Sequence, residues 1–407
     1  MCNAWCSRPV NGRAANNMST AMPSGNELPL DISAMLAEDT GSRGGGAGDG
    51  EVIVGIDGTP AVRAYLTGTE VYARSIINAL AASRGTRGMR IYANAVDAPP
   101  WLPAGVEWRG IPFPRLWTHW RLRQALRRER PDVTFIPGHV LPIGLGLNSV
   151  VTIHDVGHRH EPRAYSRTAR WYLEATTRYA ARHANRLIAV SRSTADDLTR
   201  FYGVPGGRIA VVHSGIGPRM QPQDPSRVAE VLQRLKIGGA YFLYVGRNHP
   251  RKNLTMLRRA FDEARRRGLD ADLVLVGPGH DIASAGSARV LPYVSADDLP
   301  ALYAGAIALT LPSRFEGFGF PALEAMACGT AVIASTAGAL PEIVGTAAIL
   351  LSPHDAGAWS QAMLELASDG ALQRRLIAAG SARSAEFSWT NAASKTWRVL
   401  DAVGGRT

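Results

Sequence analysis

Short apolar runs alternate with longer amphipathic stretches from residue 51 almost to the C-terminus. Runs bounded by Gly, Pro and Asp read as buried strands, and stretches whose apolar residues return every three or four positions read as helices. In the first half, strands are expected at 51–56, 89–95, 133–136, 149–153 and 186–190. A helix carrying Tyr72, Ile76, Ile77 and Leu80 follows the first strand, and helices at 117–129, 166–184 and 192–202 separate most of the others. The pattern then restarts, with strands at 241–245, 271–276, 290–291, 307–311, 331–334 and 348–350. Helices at 253–267, 297–304, 321–328, 340–344 and 355–367 fill the gaps. Such alternation predicts an α/β fold with parallel, doubly wound sheets.

Two similar units in series are expected, 51–217 and 218–388, joined through the Gly- and Pro-rich segment 214–223. A last helix in 389–407 is free to join either unit, including by crossing back to the first. Residues 1–50 lack apolar periodicity and end in a run of glycines, so a disordered extension is expected there.

A chain of 407 residues is too long for one ordinary core, which agrees with two units. No apolar run approaches the ~18 residues of a spanning helix, and residues 1–50 show no secretory pattern. Three cysteines, Cys2, Cys6 and Cys328, build no disulfide framework, so a reducing, cytoplasmic setting is expected.

The formal net charge of +11 asks for an anionic partner or an arginine-rich solvated surface. The arginines are dispersed and form no nucleic-acid module, so nucleic acid is not the expected partner. An anionic nucleotide, or an anionic membrane face, suits the charge at least as well. Cations are densest over 114–130, where Trp117 and Trp120 lie three apart. That stretch reads equally as a membrane-facing amphipathic surface or as a helix whose tryptophans pack inward.

In open α/β sheets a ligand lies outside the carboxyl ends of the strands. In the first half those ends lead into Asp57-Gly58 and the Thr67-Gly68 turn, then His154-Asp155, then Ser191. In the second half they lead into Gly246-Arg247, continuing to Pro250-Arg251-Lys252-Asn253, and into Pro312-Ser313-Arg314-Phe315-Glu316. Arg247 and Lys252 are a phosphate clamp or solvated loop charges; their place behind a buried strand favours the clamp. His154 is as readily a satisfied structural histidine as a functional one. Asp270-Ala271-Asp272 has the spacing of a metal–nucleotide motif, but at a strand start it reads as a turn.

The segment Glu316-Gly-Phe-Gly-Phe-Pro-Ala-Leu-Glu324 says most about chemistry. Gly317 and Gly319 let a backbone approach a ligand closely, and Pro321 suits a first helical position. The helix start then offers free N–H groups to an anion, with a hydroxyl-gripping acid on either side. That layout fits a ligand with a sugar, a diphosphate and a ribose in line.

On Tyr244-Val-Gly-Arg247, Pro250-Arg-Lys-Asn-Leu254, Asp298-Leu-Pro-Ala-Leu-Tyr303 and the block Glu316–Thr330, the chain resembles the retaining nucleotide-sugar glycosyltransferases. The resemblance is to the GT-B type described as glycosyl transferases group 1 (family 4), mannosyltransferase-like, over about 51–400. It implies two Rossmann-like domains facing across a cleft, the first for the acceptor and the second for the donor. It further implies that Glu316 binds donor-sugar hydroxyls while the Phe318, Gly319 and Phe320 backbone touches sugar and phosphate. By the same resemblance Glu324 holds the ribose, Arg247 and Lys252 hold the diphosphate, Gly68 approaches the β-phosphate and His154 lies near the transferred sugar. The sequence departs from the common pattern at Phe320 and Ala331 without losing a functional side chain.

The implied reaction moves a hexose, with mannose from GDP-mannose favoured over UDP-hexoses, to a glycan or lipid-linked glycan. It needs no separate cofactor and no metal, and it allows peripheral contact with the inner face of the cell membrane. A sugar phosphorylase, a nucleotide-sugar epimerase and a catalytically idle nucleotide-sugar-binding protein are the alternatives. The intact acids and cations speak against the idle reading, and no pyridoxal-anchoring lysine signature is present.

Overall fold

The computed structural model describes residues 52–63, 67–113, 117–280, 288–291 and 293–405. The extension expected at 1–50 lies outside the described residues. The first sheet holds β1 (Ile53–Asp57), β2 (Gly88–Ala93), β3 (Glu107–Gly110), β4 (Val133–Ile136), β5 (Ser149–Ile153), β6 (Arg186–Ala189) and β7 (Ile209–Val211). The second holds β8 (Tyr241–Val245), β9 (Asp272–Val276), β10 (Arg289–Leu291), β11 (Ala308–Leu311), β12 (Ala331–Ser335) and β13 (Ile349–Leu351). Their orders are β3-β2-β1-β4-β5-β6-β7 and β10-β9-β8-β11-β12-β13, with the neighbouring strands paired in parallel. Strand order reverses between β1 and β4 and between β8 and β11, and such switch points are where a doubly wound sheet opens a crevice.

The helices are α1 (Gly68–Ala82), α2 (Arg123–Glu129), α3 (Gly157–His160), α4 (Arg167–His183), α5 (Arg192–Tyr202), α6 (Pro225–Arg234) and α7 (Leu254–Arg266). They continue with α8 (Leu299–Ala304), α9 (Phe320–Ala327), α10 (Leu340–Val344), α11 (Ala356–Ser368), α12 (Gly370–Ser384) and α13 (Trp389–Gly404). Central strands are covered on both faces, which is why β5 is buried along its whole length and β8 all but its last residue. Leu257, Ala260, Phe261 and Ala264 give α7 one apolar stripe toward the sheet. Asn253, at φ +59°, is a left-handed residue, so that helix starts one position later than its pattern predicts.

Five elements lie outside the predicted set, one of them the single-turn α3 just after His154-Asp155. β3 (Glu-Trp-Arg-Gly) pairs only with β2, at a sheet edge, and is too polar to read as a strand. β7 has three residues, α6 hides behind the proline-rich connection, and α12 lacks a single apolar stripe. Residues 114–116 of the cationic stretch lie outside the described residues; from residue 117 on, the stretch forms a π-helical turn, Thr118–Leu122, running into α2. Its tryptophans divide: Trp117 is buried and donates to the Ile111 carbonyl at 2.7 Å, whereas Trp120 is exposed.

Two chain passages run side by side between the sheets. A Cβ on Gly215 would meet the backbone of Ser388 and Trp389, and Ile216 N donates to the Phe387 carbonyl. Beyond them α13 lies on the first domain. Trp397 Nε1 donates to the Leu80 carbonyl of α1 at 3.3 Å, and Arg87 grips Asp401 through two hydrogen bonds.

Candidate active site at the interdomain gap

The site grows from the carboxyl ends of β8 and β11. After β11 the chain enters Pro312-Ser313-Arg314-Phe315-Glu316, and after β8 it turns through Gly246-Arg247 into the tight turn Pro250–Lys252. Arg314 N donates to the Arg251 carbonyl at 2.8 Å, fastening one loop to the other. Glu316 is buried among cations. Its Oε1 accepts from Lys252 Nζ and Ser313 Oγ, both at 2.5 Å, and its Oε2 from Arg251 Nη1 at 3.1 Å. Burial alone would raise this carboxyl, but Lys252 and Arg251 outweigh it and hold it below the usual range. Glu316 is therefore ionised at neutral pH.

Arg251 was absent from the residues singled out in the sequence, although it adjoins Lys252 in the same turn. It also donates to the Phe315 carbonyl at 2.6 Å. Arg247 lies exposed on the turn after β8 and makes no ion pair among the described residues. The guanidinium that reaches Glu316 is thus the one beside Lys252.

From Glu316 the backbone passes Gly317, where an added Cβ would sit 2.0 Å from the His154 carbonyl of the first domain. The two domains touch here through bare backbone, and only glycine allows it. Gly319, at φ +108°, then caps α9, which begins at Phe320 and not at Pro321 as the sequence suggests. Phe320 faces Gly68: a Cβ there would lie 3.5 Å from the Phe320 ring. The Thr67-Gly68 turn and the Glu316–Phe320 loop thus meet across the gap. Phe318 is buried against Phe320 and Phe387.

One turn into α9, Glu324 accepts from Tyr303 Oη at 2.9 Å. Burial raises its carboxyl and the Tyr303 hydrogen bond only partly offsets this. The two acids therefore differ: Glu316 is neutralised by cations, and Glu324 has one neutral partner and spare acceptor capacity.

On the facing domain, His154 follows β5. Its Nε2 contacts the Pro137 carbonyl at 2.8 Å, and its ring edge packs on Tyr72. A carbonyl only accepts, so Nε2 carries the proton and Nδ1 is the acceptor of the neutral ring. Burial pulls this imidazole below its ordinary value, which keeps it neutral. Asp155 accepts from Gly157 N at 2.8 Å; burial would raise its carboxyl, but Arg251 across the gap, the Gly157 amide, His139 and His154 together hold it below the usual range. The contact extends outward, with Phe315 stacked on His160 at 4.2 Å and Tyr165 beside His249.

The structure therefore brings Glu316, Lys252, Phe318, Gly319, Phe320, Gly68 and His154 to one gap, with Glu324 one turn behind. Asp270 and Asp272 lie at the opposite, amino-terminal edge of β9. Among the described residues no cluster of His, Cys, Asp and Glu has the makings of a metal site, and no helix is long and apolar enough to cross a membrane.

Two facing doubly wound domains with this loop between them define a GT-B glycosyltransferase. Residues 239–369 match the family described as Glycosyl transferases group 1, and residues 66–219 match Glycosyltransferase Family 4. O-antigen chain mannosyltransferase B of Escherichia coli is 30% identical over 372 residues, which is 83% of this chain and 97% of that protein. The chain belongs to this glycosyltransferase family. D-inositol 3-phosphate glycosyltransferase of Salinispora arenicola (strain CNS-205) is 33% identical over 239 residues, covering 52% of this chain and 53% of its own. Among solved structures, WaaG, a glycosyltransferase involved in lipopolysaccharide biosynthesis, has a TM-score of 0.68 at 17% identity, over 86% of this chain and 99% of WaaG. Anabaena HepE in complex with UDP and glucose gives 0.67 at 18% identity, with the same coverage. At these identities the structural likeness speaks for the fold alone.

Proposed function

We propose that the protein transfers mannose from GDP-mannose to a glycan or lipid-linked glycan, with retention of configuration and without a divalent metal. The observation that carries this reading is the buried Glu316, ionised among Lys252, Arg251 and Ser313 beside a glycine loop that touches His154. The mannosyltransferase names of Escherichia coli relatives support the choice of sugar.

In this scheme Glu316 accepts hydrogen bonds from the donor sugar and Glu324 from the ribose. The bond from the anomeric carbon to the phosphate oxygen breaks, and negative charge grows on the leaving diphosphate. Lys252, Arg247 and the N-terminal amides of α9 meet that charge, as a metal ion does in other enzymes. The acceptor oxygen bonds to the anomeric carbon on the same face, and its proton passes to the leaving phosphate oxygen. His154 Nδ1 accepts from the transferred sugar. The exposed Trp120, with the exposed Arg127 and Arg128, gives the first domain a face for an anionic membrane.

The test is release of nucleoside diphosphate from GDP-mannose, UDP-glucose and ADP-glucose, with and without oligomannoside acceptors and chelator. Turnover of GDP-mannose that survives chelation and yields an α-linkage is expected. An inverted linkage, or activity lost to chelator and restored by metal, refutes the corresponding part of the scheme.

A further inference from the structure

Glu342 has no part in the scheme above, yet it is an acid that crosses from one domain to backbone amides of the other. It lies on α10 of the second domain, and its carboxylate sits at the N-terminus of α5 in the first. Arg192 N donates to both carboxylate oxygens at 2.9 Å, and Ser193 N donates to Oε2 at 3.2 Å. These are orphan amides of a helix start, where a carboxylate is favoured by hydrogen bonding and by the helix dipole together. His213, in the passage between the domains, places Nε2 at 2.6 Å from Oε1.

Both ends of this contact are wired to the reaction site. Just before Glu342, Ala339 N donates to the Glu316 carbonyl at 2.9 Å, and a Cβ on Gly338 would strike that same oxygen. Leu340 packs against Gly319, the cap of α9. Arg383 fixes α10 from behind, donating to the Glu342 carbonyl at 2.6 Å and the Ile343 carbonyl at 2.9 Å. On the other side, Ser191 caps α5 and Thr194 Oγ1 donates to the His154 carbonyl at 3.4 Å. The His213 ring lies against Phe318 and Phe387.

We propose that Glu342 is a positioning residue that latches the two domains in the closed arrangement, holding the Glu316 loop against His154 through the start of α5, with His213 as its partner at the hinge. The kinetic part of this proposal rests on the glycosyltransferase reading; the latch itself does not. With the latch released, the second domain keeps its donor contacts, but the acceptor side is no longer held in register, so kcat falls more than donor binding does.

The test uses the full chain with Cys2→Ser and Cys6→Ser, and spin labels at Arg127→Cys in α2 and Arg266→Cys in α7. Interdomain distances are measured without ligand by double electron–electron resonance, and kcat and KM for the donor are measured on unlabelled protein. Glu342→Ala is expected to shift or broaden the distance distribution and to lower kcat about 10- to 100-fold, with KM changed less than about threefold. Glu342→Gln keeps an acceptor for Arg192 N and Ser193 N and is expected to restore most of both; it also covers the case of an unfolded alanine variant. An unchanged distance in Glu342→Ala overturns the latch, and unchanged kinetics with an altered distance overturns the positioning role. Absent turnover in the wild type with every donor counts against the functional reading alone, and the distance measurement still decides the latch.

Discussion

Replacing Glu316 by Gln removes one charge and almost no volume, and the surrounding distances say what that does. With the amide oxygen kept toward Lys252 and Ser313, both at 2.5 Å from Oε1, the amide nitrogen must face Arg251 Nη1, now 3.1 Å from Oε2. Two donors then confront each other and one charge-assisted hydrogen bond is lost, about 1.5–3 kcal/mol. Arg251 retains the Phe315 carbonyl at 2.6 Å, which places the stability loss at the lower end. A donor-sugar hydroxyl meets a neutral amide instead of a carboxylate, a difference of about 1–2 kcal/mol, or roughly 5- to 30-fold in kcat/KM. Glu316→Ala is harsher. It leaves the half-buried Lys252 and Arg251 without their shared carboxylate, a destabilisation of about 3–5 kcal/mol. Nucleoside diphosphate release, with thermal melts on the same preparations, separates the two effects. A Gln variant that melts lower yet turns over at the wild-type rate would show that the carboxylate only braces the loop, and the proposed role would fall.

Glu324→Gln is expected to raise the donor KM about tenfold with kcat within about twofold, because ribose contacts bind ground and transition states alike; a collapse of kcat at constant KM contradicts this. In Gly317→Ala the added Cβ at 2.0 Å from the His154 carbonyl must push the loops apart by about 1 Å, for a loss of roughly 100-fold in kcat. Wild-type kcat in a folded variant would show that the close approach is incidental. Asp57, buried at the end of β1, has its carboxyl raised by burial from 3.8 to about 6. The folded state therefore holds the proton more tightly than the unfolded chain. Its contribution of roughly 3 kcal/mol is complete below pH 3.8 and lost as pH rises through about 6. Denaturant melts from pH 3.5 to 7.5 should show that decline in the wild type and not in Asp57→Asn; parallel profiles refute it.

Legibility from sequence followed the size of the local signal. Strands β8 and β11 announce themselves because a strand covered on both faces must be apolar along its length. The site loop was equally plain, since glycines at 317 and 319, a proline at 321 and acids at 316 and 324 carry their meaning in adjacent positions. Edge strands such as β3 bury one side only and keep charged residues, so Glu107 and Arg109 concealed it. Trp117 and Trp120 lie on one short stretch with opposite fates, which periodicity at a π-helical turn does not separate.

The chain's own order of residues was enough for two doubly wound units, the helix start after the Gly317–Gly319 loop and the places of the two acids around it, because each depends on neighbours within a turn or two. Tertiary packing alone chose Arg251 as the guanidinium on Glu316, set Gly317 against the His154 carbonyl, turned Phe320 toward Gly68 and carried Glu342 to the start of α5. Those contacts join positions far apart in the chain. Burial and the charges that answer it arise only when the two sheets face each other.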